Sequence, residues 1–155
     1  MQLYFYEESF KHAIGEYHLT DEQLRFTGTP KDCIELSNED PDRSSILAVK
    51  QNQLVTFFVL HRNEGVKPYS DNAQSLLVRA FSTDSRHQGK GYAKQALSLL
   101  PDFVRKYFRE INEIILAVNI ANTVAQELYK KCGFIDKGVR KMGKKGELII
   151  MSYHL

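Results

Sequence analysis

The stretch that decides the fold is residues 83–93, which read Thr-Asp-Ser-Arg-His-Gln-Gly-Lys-Gly-Tyr-Ala. It joins the β-branched and aromatic run 75–82, a predicted strand, to an amphipathic predicted helix. Gly89 and Gly91 lack a Cβ, so the backbone can approach a bulky anion closely. The first N–H groups of a helix have no acceptor inside it and carry the positive end of its dipole. The stretch therefore predicts a cradle for phosphate or pyrophosphate at residues 88–93.

Two nucleotide motifs are excluded at this turn. The sequence has no GxxxxGK[ST], and a dinucleotide GxGxxG would need a third glycine where Lys94 stands. A glycine turn that merely reverses the chain remains the other interpretation.

The predicted helix after the turn has one apolar face. Pro101 lies inside the pattern and lacks the N–H that would reach residue 97, so a kink or short break is expected there. The apolar positions recur at three- and four-residue spacing and are Ala93, Ala96, Leu97, Leu100, Val104, Tyr107 and Phe108.

The other elements follow from residue patterns and from punctuation by Gly, Pro, Asn and Asp. Residues 15–29, between two helical segments, are ambiguous. Strands are predicted at 3–6, 45–50, 54–61, 75–82, 113–118 and 147–153, with a hairpin turn at 51–53. Helical segments are predicted at 9–14, 30–36 and 122–131, with Gly133 as a left-handed terminator of the last one. A basic hairpin is predicted at 137–145. The order predicts a single α/β domain over residues 1–155, with a mixed, mostly antiparallel sheet of about six or seven strands flanked by helices.

Two motifs in this context resemble the acetyl-CoA signatures of the GNAT superfamily of N-acetyltransferases. The first is Gln88-x-x-Gly91-x-Ala93 after a strand, and the second is the run from Asn122 through Tyr129 to Phe134. Together they span roughly residues 76–135, and two linked motifs are much more specific than either alone. The resemblance implies direct transfer of the acetyl group of acetyl-CoA to an amine. A domain that binds acyl-CoA without catalysis, as a sensor or scaffold, is the alternative.

The resemblance also assigns roles to residues. The strand before the turn would offer backbone groups to the pantetheine, the turn would hold the pyrophosphate, and Asn122 would hydrogen-bond the cofactor arm. The cofactor residues implied are Phe81, Ser82, Thr83, Gln88, Gly89, Lys90, Gly91, Tyr92, Ala93 and Asn122. Ser85 replaces a proline that the family often has in this loop, which puts the rigidity of the loop in question.

Tyr129 is the implied catalytic residue, as the acid that protonates the departing CoA thiolate. It follows Asn122 by about two helical turns on the same face, so both can address one ligand. A helix cap for Asn122 and a core aromatic for Tyr129 are the structural alternatives.

The acceptor amine needs to lose a proton before it attacks, because an ammonium with a pKa near 10.4 is about one part in 10³ neutral at pH 7. The strand at 75–82 contains no carboxylate to take that proton. No base is assigned, and the unsupported candidates are Glu7, Glu8, Glu16, Glu64 and His61.

The charge is unevenly distributed along the chain. Residues 1–42 hold ten acidic and three basic residues, whereas residues 43–155 hold nine and eighteen. A cationic acceptor, such as a polyamine, an amino sugar or a protein amine, is therefore a hypothesis that rests on charge alone. The basic run Lys137, Arg140, Lys141, Lys144 and Lys145 suggests nucleic-acid binding as a competing class, but no stacking aromatic is interleaved among these residues, so a solvated hairpin is favoured.

Composition limits the remaining possibilities. Cys33 and Cys132 show no CxxC spacing and the histidines are scattered, so neither a disulfide framework nor a metal site is expected. Cys132 is expected to be a core residue rather than a nucleophile. No run is long and apolar enough for a membrane span and no signal peptide is recognisable, which predicts a cytoplasmic protein. The sequence leaves the oligomeric state open, a homodimer included.

Overall fold

A computed structural model describes all residues from Met1 to Leu155 as one seven-stranded sheet flanked by helices. The strand order is β1-β2-β3-β4-β5-β7-β6, and only the β4–β5 pair is parallel. The strands are β1 (Gln2–Phe5), β2 (Arg43–Lys50), β3 (Gln53–His61), β4 (Ser75–Thr83), β5 (Glu113–Asn119), β6 (Ile135–Gly143) and β7 (Gly146–His154). The α-helices are α1 (Lys11–Glu16), α2 (Asp21–Leu24), α3 (Pro30–Glu39), α4 (Tyr92–Tyr107) and α5 (Thr123–Lys131). This is the mixed, mostly antiparallel sheet that the sequence predicts.

Helices cover both faces of the sheet. On one face, α4 and α5 pack on the largest core, a cluster of 18 buried residues that includes Leu97, Leu100 and Tyr129. On the other face, α1 and α3 bury Ile14 and Ile34 in a smaller cluster. Apolar burial at about 25 cal/mol per Å² makes these two layers the main stabilising contribution. No helix is long and apolar enough to cross a membrane.

Of the kink or short break predicted at Pro101, the break does not occur. Helix α4 runs without interruption through this residue, and Pro101 is itself buried between Leu100 and Val104, both part of the main core. Packing of the apolar face therefore holds the helix together although one backbone hydrogen bond is missing.

Two hairpin turns differ from the predicted ones. The β2–β3 turn has two residues rather than three, Gln51 and Asn52, both with positive φ, as a two-residue turn of this type requires. The basic hairpin predicted at 137–145 is not a separate unit: β6 is one arm, β7 is the other, and the turn is Lys144-Lys145. A two-residue turn fixes the register so that both glycines flanking it, Gly143 and Gly146, pair with each other.

Candidate functional site

The sheet opens between its two parallel strands. Strands β4 and β5 pair only from Ser75–Glu113 to Val78–Leu116. Beyond that point residues 79–83 of β4 pair with β3 alone, and residues 117–119 of β5 pair with β7 alone. We call the opening between these two segments the β4–β5 cleft. Backbone groups on its inner edges have no strand partner, so they are free to bind an extended ligand.

A β-bulge lies at the closed end of the cleft. Four residues of β4, from Arg79 to Ser82, lie opposite three residues of β3, from Phe57 to Val59, and Ala80 has φ +52°. The bulge changes the alternation of side chains: Val78 and Phe81 both face the α4 side, whereas Ala80 packs against the smaller core on the opposite face. This places Phe81 next to the helix that carries the predicted catalytic residue.

Tyr17 fastens the bulge from the second face. Its hydroxyl donates to the carbonyl of Ser82 at 2.8 Å and lies 3.0 Å from the Ser82 hydroxyl. Burial raises the pKa of Tyr17, so the phenol keeps its proton. The Ser82 carbonyl is occupied in this way, and the Thr83 carbonyl accepts from the side-chain amide of Gln23 at 2.7 Å.

The glycine turn has the geometry that an anion cradle needs. Gly89 and Gly91 have φ +78° and +77°, a region that strongly favours glycine, and Gly91 is the N-cap of α4. A Cβ built at either position meets no atom within 4 Å, so the space in front of the turn is open. The first intrahelical acceptor of this end is Gly91, whose carbonyl receives the N–H of Gln95. The N–H groups of residues 92–94 therefore face open space at the positive end of a 16-residue helix.

Asp84 fixes the loop between β4 and this turn. Its carboxylate is fully buried and accepts from the backbone and the guanidinium of Arg86, at 2.9 and 2.8 Å, and from the backbone of His18. Burial by itself would raise the pKa of Asp84, but the hydrogen bonds from Arg86 and His18 outweigh it and the pKa is lowered. The backbone of Ser85 also donates to the carbonyl of His18. The loop is thus held without the proline that Ser85 replaces.

Tyr129 lies beside the cleft in α5. Its ring makes edge-on contacts with Phe81 and Phe134, with centroids 6.2 and 6.1 Å apart. The side chain is 8% exposed, and burial raises the pKa of its phenol. Every fully buried side-chain polar atom in the chain has a hydrogen-bond partner, whereas no protein atom bonds the Tyr129 hydroxyl, so this hydroxyl is not fully buried. The contacts with Phe81 and Phe134 make Tyr129 a core aromatic, and its hydroxyl is still free for a ligand.

Asn122 caps α5. Its side-chain oxygen accepts from the N–H of Ala125 at 3.2 Å, which is the capping geometry that the sequence offered as an alternative. Its amide nitrogen has no partner within the chain. At the other end of the helix, Gly133 has φ +95°, as predicted for a left-handed terminator.

The other sequence candidates belong to elements outside β4 and α5. Glu7, Glu8, Glu16 and Glu64 are exposed residues outside β4 and β5, and His61 is buried at the end of β3. Cys132 packs against the main core, and burial raises the pKa of its thiol, as expected for a core cysteine rather than a nucleophile.

Four of the five basic hairpin residues contact other residues of the chain: Lys137 with His154, Arg140 with Asp136, Lys141 with Tyr69, and Lys145 with the carbonyls of Leu24 and Arg25.

Comparison with known proteins identifies this arrangement. Residues 6–134 match the family described as "Acetyltransferase (GNAT) family". The chain belongs to the GNAT family of acetyltransferases. A Bacillus subtilis (strain 168) protein named "Uncharacterized N-acetyltransferase YbbJ" is 40% identical over 156 residues, covering 100% of this chain and 98% of the relative.

Solved structures agree on the fold. The spermidine N-acetyltransferase of Vibrio cholerae, in complex with CoA and spermine, has a TM-score of 0.73 at 19% identity and covers 99% of this chain and 94% of its own. The aminoglycoside acetyltransferase AAC(6')-Ib, in complex with coenzyme A, has a TM-score of 0.78 at 12% identity, with 98% and 93% covered. Both structures contain CoA and share the fold of this chain. The resemblance that the sequence motifs indicated is confirmed by the family match and by the 40% identical relative.

Proposed function

We propose that this GNAT protein transfers the acetyl group of acetyl-CoA directly to an amine acceptor. The observation that carries the proposal is the alignment of three features along one cleft: the open glycine cradle at 88–93, the β4 edge at Phe81 and Thr83, which has no partner in β5, and the free hydroxyl of Tyr129 next to Phe81. Acetyl-CoA fits such a sequence of sites, because it offers in turn a pyrophosphate, an amide-bearing pantetheine arm and a thioester.

The turn and the first residues of α4 hold the pyrophosphate. Backbone N–H groups at a helix N-terminus bind phosphate oxygens, and the exposed ammonium of Lys90 adds charge at the same turn. Asn122 contributes the amide donor that its capping role leaves free. The residues proposed here are Gln88, Gly89, Lys90, Gly91, Tyr92, Ala93 and Asn122.

The chemistry needs a base for the amine and an acid for the thiol. The neutral amine attacks the thioester carbonyl, the carbon–sulfur bond breaks, and CoA leaves as a thiolate that takes up a proton. The attacking nitrogen gives up one proton as it becomes the amide, and this proton restores the acid that protonated the thiolate. Tyr129 is the proposed proton donor, and its raised pKa keeps the phenol protonated at neutral pH. No carboxylate of β4 lies at the cleft, so water and desolvation are the proposed routes by which the ammonium loses its proton.

The test compares Tyr129→Phe with the wild type in kcat and in acetyl-CoA affinity. The expected result is a kcat lower by about 10²–10⁴ with a Kd for acetyl-CoA that changes little, as for a residue that acts only in the transition state. Tyr107→Phe is the matched control, since Tyr107 is half exposed at the far end of α4. An unchanged kcat in Tyr129→Phe would remove Tyr129 from the mechanism. A wild type that binds acetyl-CoA but releases no thiol with any amine would favour the sensor alternative, which no observation supports.

The proposed acceptor class is a cationic amine. The two structural neighbours named above act on spermidine and on aminoglycosides, and the acidic charge of residues 1–42 also supports a cationic amine. One acidic residue of this segment is already engaged, because Asp40 contacts the side chains of Arg43 and His61.

A further inference from the structure

Arg79 is a partly buried arginine at the closed end of the β4–β5 cleft. It follows Val78, the last β4 residue that pairs with β5, and precedes the bulge at Ala80. Its guanidinium approaches one side chain, with 3.5 Å from its Nη1 to Nδ1 of His61. It forms no ion pair, because the carboxylate on the far side of His61, that of Asp40, is already held by that histidine at 3.2 Å and by another arginine.

A partly buried charge without an ion-pair partner costs free energy, and a ligand that supplies the opposite charge would offset this cost. The Asp40 carboxylate lies on the far side of His61, and no carboxylate of β4 or β5 lies beside Arg79. Strands β4 and β5 contain a single carboxylate, Glu113, at the far end of β5, where Ser152 and Asn72 donate to it.

A second cation lies on the same face of the sheet. The ammonium of Lys141 is 5.5 Å from the ring centroid of Tyr69, and that ring packs against a cluster formed by Leu77 and Ile115. Because Leu77 and Arg79 are two residues apart on β4, they point to the same side. Lys141 therefore adds a second cation to the face opposite α4, beside the paired part of β4 and β5.

The order of sites along β4 places the reacting end of the cofactor near Arg79. The pyrophosphate cradle follows β4, the pantetheine edge lies at Phe81 and Thr83, and the closed end of the cleft begins at Arg79. Arg79 and Tyr129 lie on opposite faces at this end, since Tyr129 contacts Phe81 on the α4 side. Tyr129 can thus act on the leaving CoA thiolate from one face of the sheet, while Arg79 contacts the acceptor from the other face.

We infer that Arg79 binds a carboxylate of the acceptor, so that the acceptor is an amine that also carries a carboxylate, as a free α-amino acid does. Arginine suits this role because its planar guanidinium matches a carboxylate with two parallel hydrogen bonds. The inference rests on the proposed function and names the acceptor of the same site. A zwitterion also carries the ammonium that the acidic first quarter of the chain would attract.

The experiment measures kcat/KM by CoA release at saturating acetyl-CoA. The acceptors are free amino acids, the corresponding amino-acid amides, spermidine and an aminoglycoside. The wild type should prefer amino acids to their amides by at least about tenfold, the range of one charged hydrogen bond. Arg79→Met should lower kcat/KM for amino acids by about 10- to 100-fold and leave the amides nearly unchanged.

Two further variants separate recognition from folding. Arg79→Lys keeps the charge without the planar fork and should recover part of the activity. Arg109→Met is the matched control, because Arg109 is exposed and forms no ion pair, and it should behave like the wild type. Urea unfolding of each variant checks that Arg79→Met is folded. A wild-type preference for spermidine or the aminoglycoside, or an equal loss for amino acids and amides in Arg79→Met, would overturn the inference.

Calorimetry distinguishes failure of this inference from failure of the proposed function. Amino acids are titrated into the CoA complexes of the wild type and Arg79→Met. Binding that depends on Arg79 without CoA release from acetyl-CoA would support the carboxylate site and reject acetyl transfer. Transfer to amines without any dependence on Arg79 would support the proposed function and reject the carboxylate site.

Discussion

Substitution of Gly91 by alanine tests the glycine cradle, because it affects stability and cofactor affinity through separate causes. At φ +77° an alanine costs about 1–2 kcal/mol relative to glycine, and its lower entropy in the unfolded chain returns about 0.4–1 kcal/mol. The expected net loss is about 1 kcal/mol, or about 2–4 °C in Tm for a domain of this size. The Cβ meets no protein atom within 4 Å, so this backbone term is the whole expected effect on folding.

The same Cβ enters the space where an anion would lie against the backbone. Loss of one charged hydrogen bond to a phosphate costs about 1.5–3 kcal/mol, which corresponds to a Kd for acetyl-CoA about 10- to 150-fold higher. Urea unfolding measures the stability and isothermal titration calorimetry measures the Kd.

Gly15→Ala is the matched control for this change. Gly15 lies in helix α1, and a Cβ there also meets no atom within 4 Å. In a helix the same substitution should stabilise the protein by about 0.5–1 kcal/mol and leave the Kd unchanged. A Gly91→Ala protein that binds acetyl-CoA as tightly as the wild type would refute the cradle, whatever its stability.

Two further predictions concern buried carboxylates. Asp84→Asn removes the charge that receives the hydrogen bonds of Arg86, so we expect urea unfolding to report a loss of about 2 kcal/mol in stability. Kinetics should report a higher KM for acetyl-CoA. Stability and KM equal to those of the wild type would mean that other contacts hold the loop. Burial tends to raise the pKa of Glu113, but hydrogen bonds from Ser152 and Asn72 lower it, so its stabilisation is complete above its ordinary pKa and is lost as pH falls through the lower, folded value. Urea unfolding between about pH 5 and pH 3 should therefore show a shallower decline for Glu113→Gln than for the wild type, and parallel curves would contradict this.

Local patterns account for the parts of the site that were predictable from the sequence. The glycine spacing at 88–93 and the three- and four-residue repeat after Tyr92 depend only on neighbouring residues, and the structure has both the turn and helix α4 there. The cap at Asn122 and the terminator Gly133 are equally local.

Features that depend on tertiary contacts were not predictable. Nothing in the sequence marks Ala80 as a left-handed residue, because alanine has no preference for that conformation, and the bulge follows from the pairing with β3. The side of the sheet that Phe81 faces depends on that bulge. The buried role of Asp84 depends on a contact with His18, 66 residues earlier. Likewise Pro101 predicts a break by its own chemistry, which core packing overrides.

The central claim is tested most directly by following CoA release from acetyl-CoA with a panel of amines, together with mass spectrometry of the amines. The account predicts that at least one amine gains one acetyl group for each CoA released. Acetyl-CoA that binds at the cradle but releases no CoA beyond the background without amine, whichever amine is added, would contradict it.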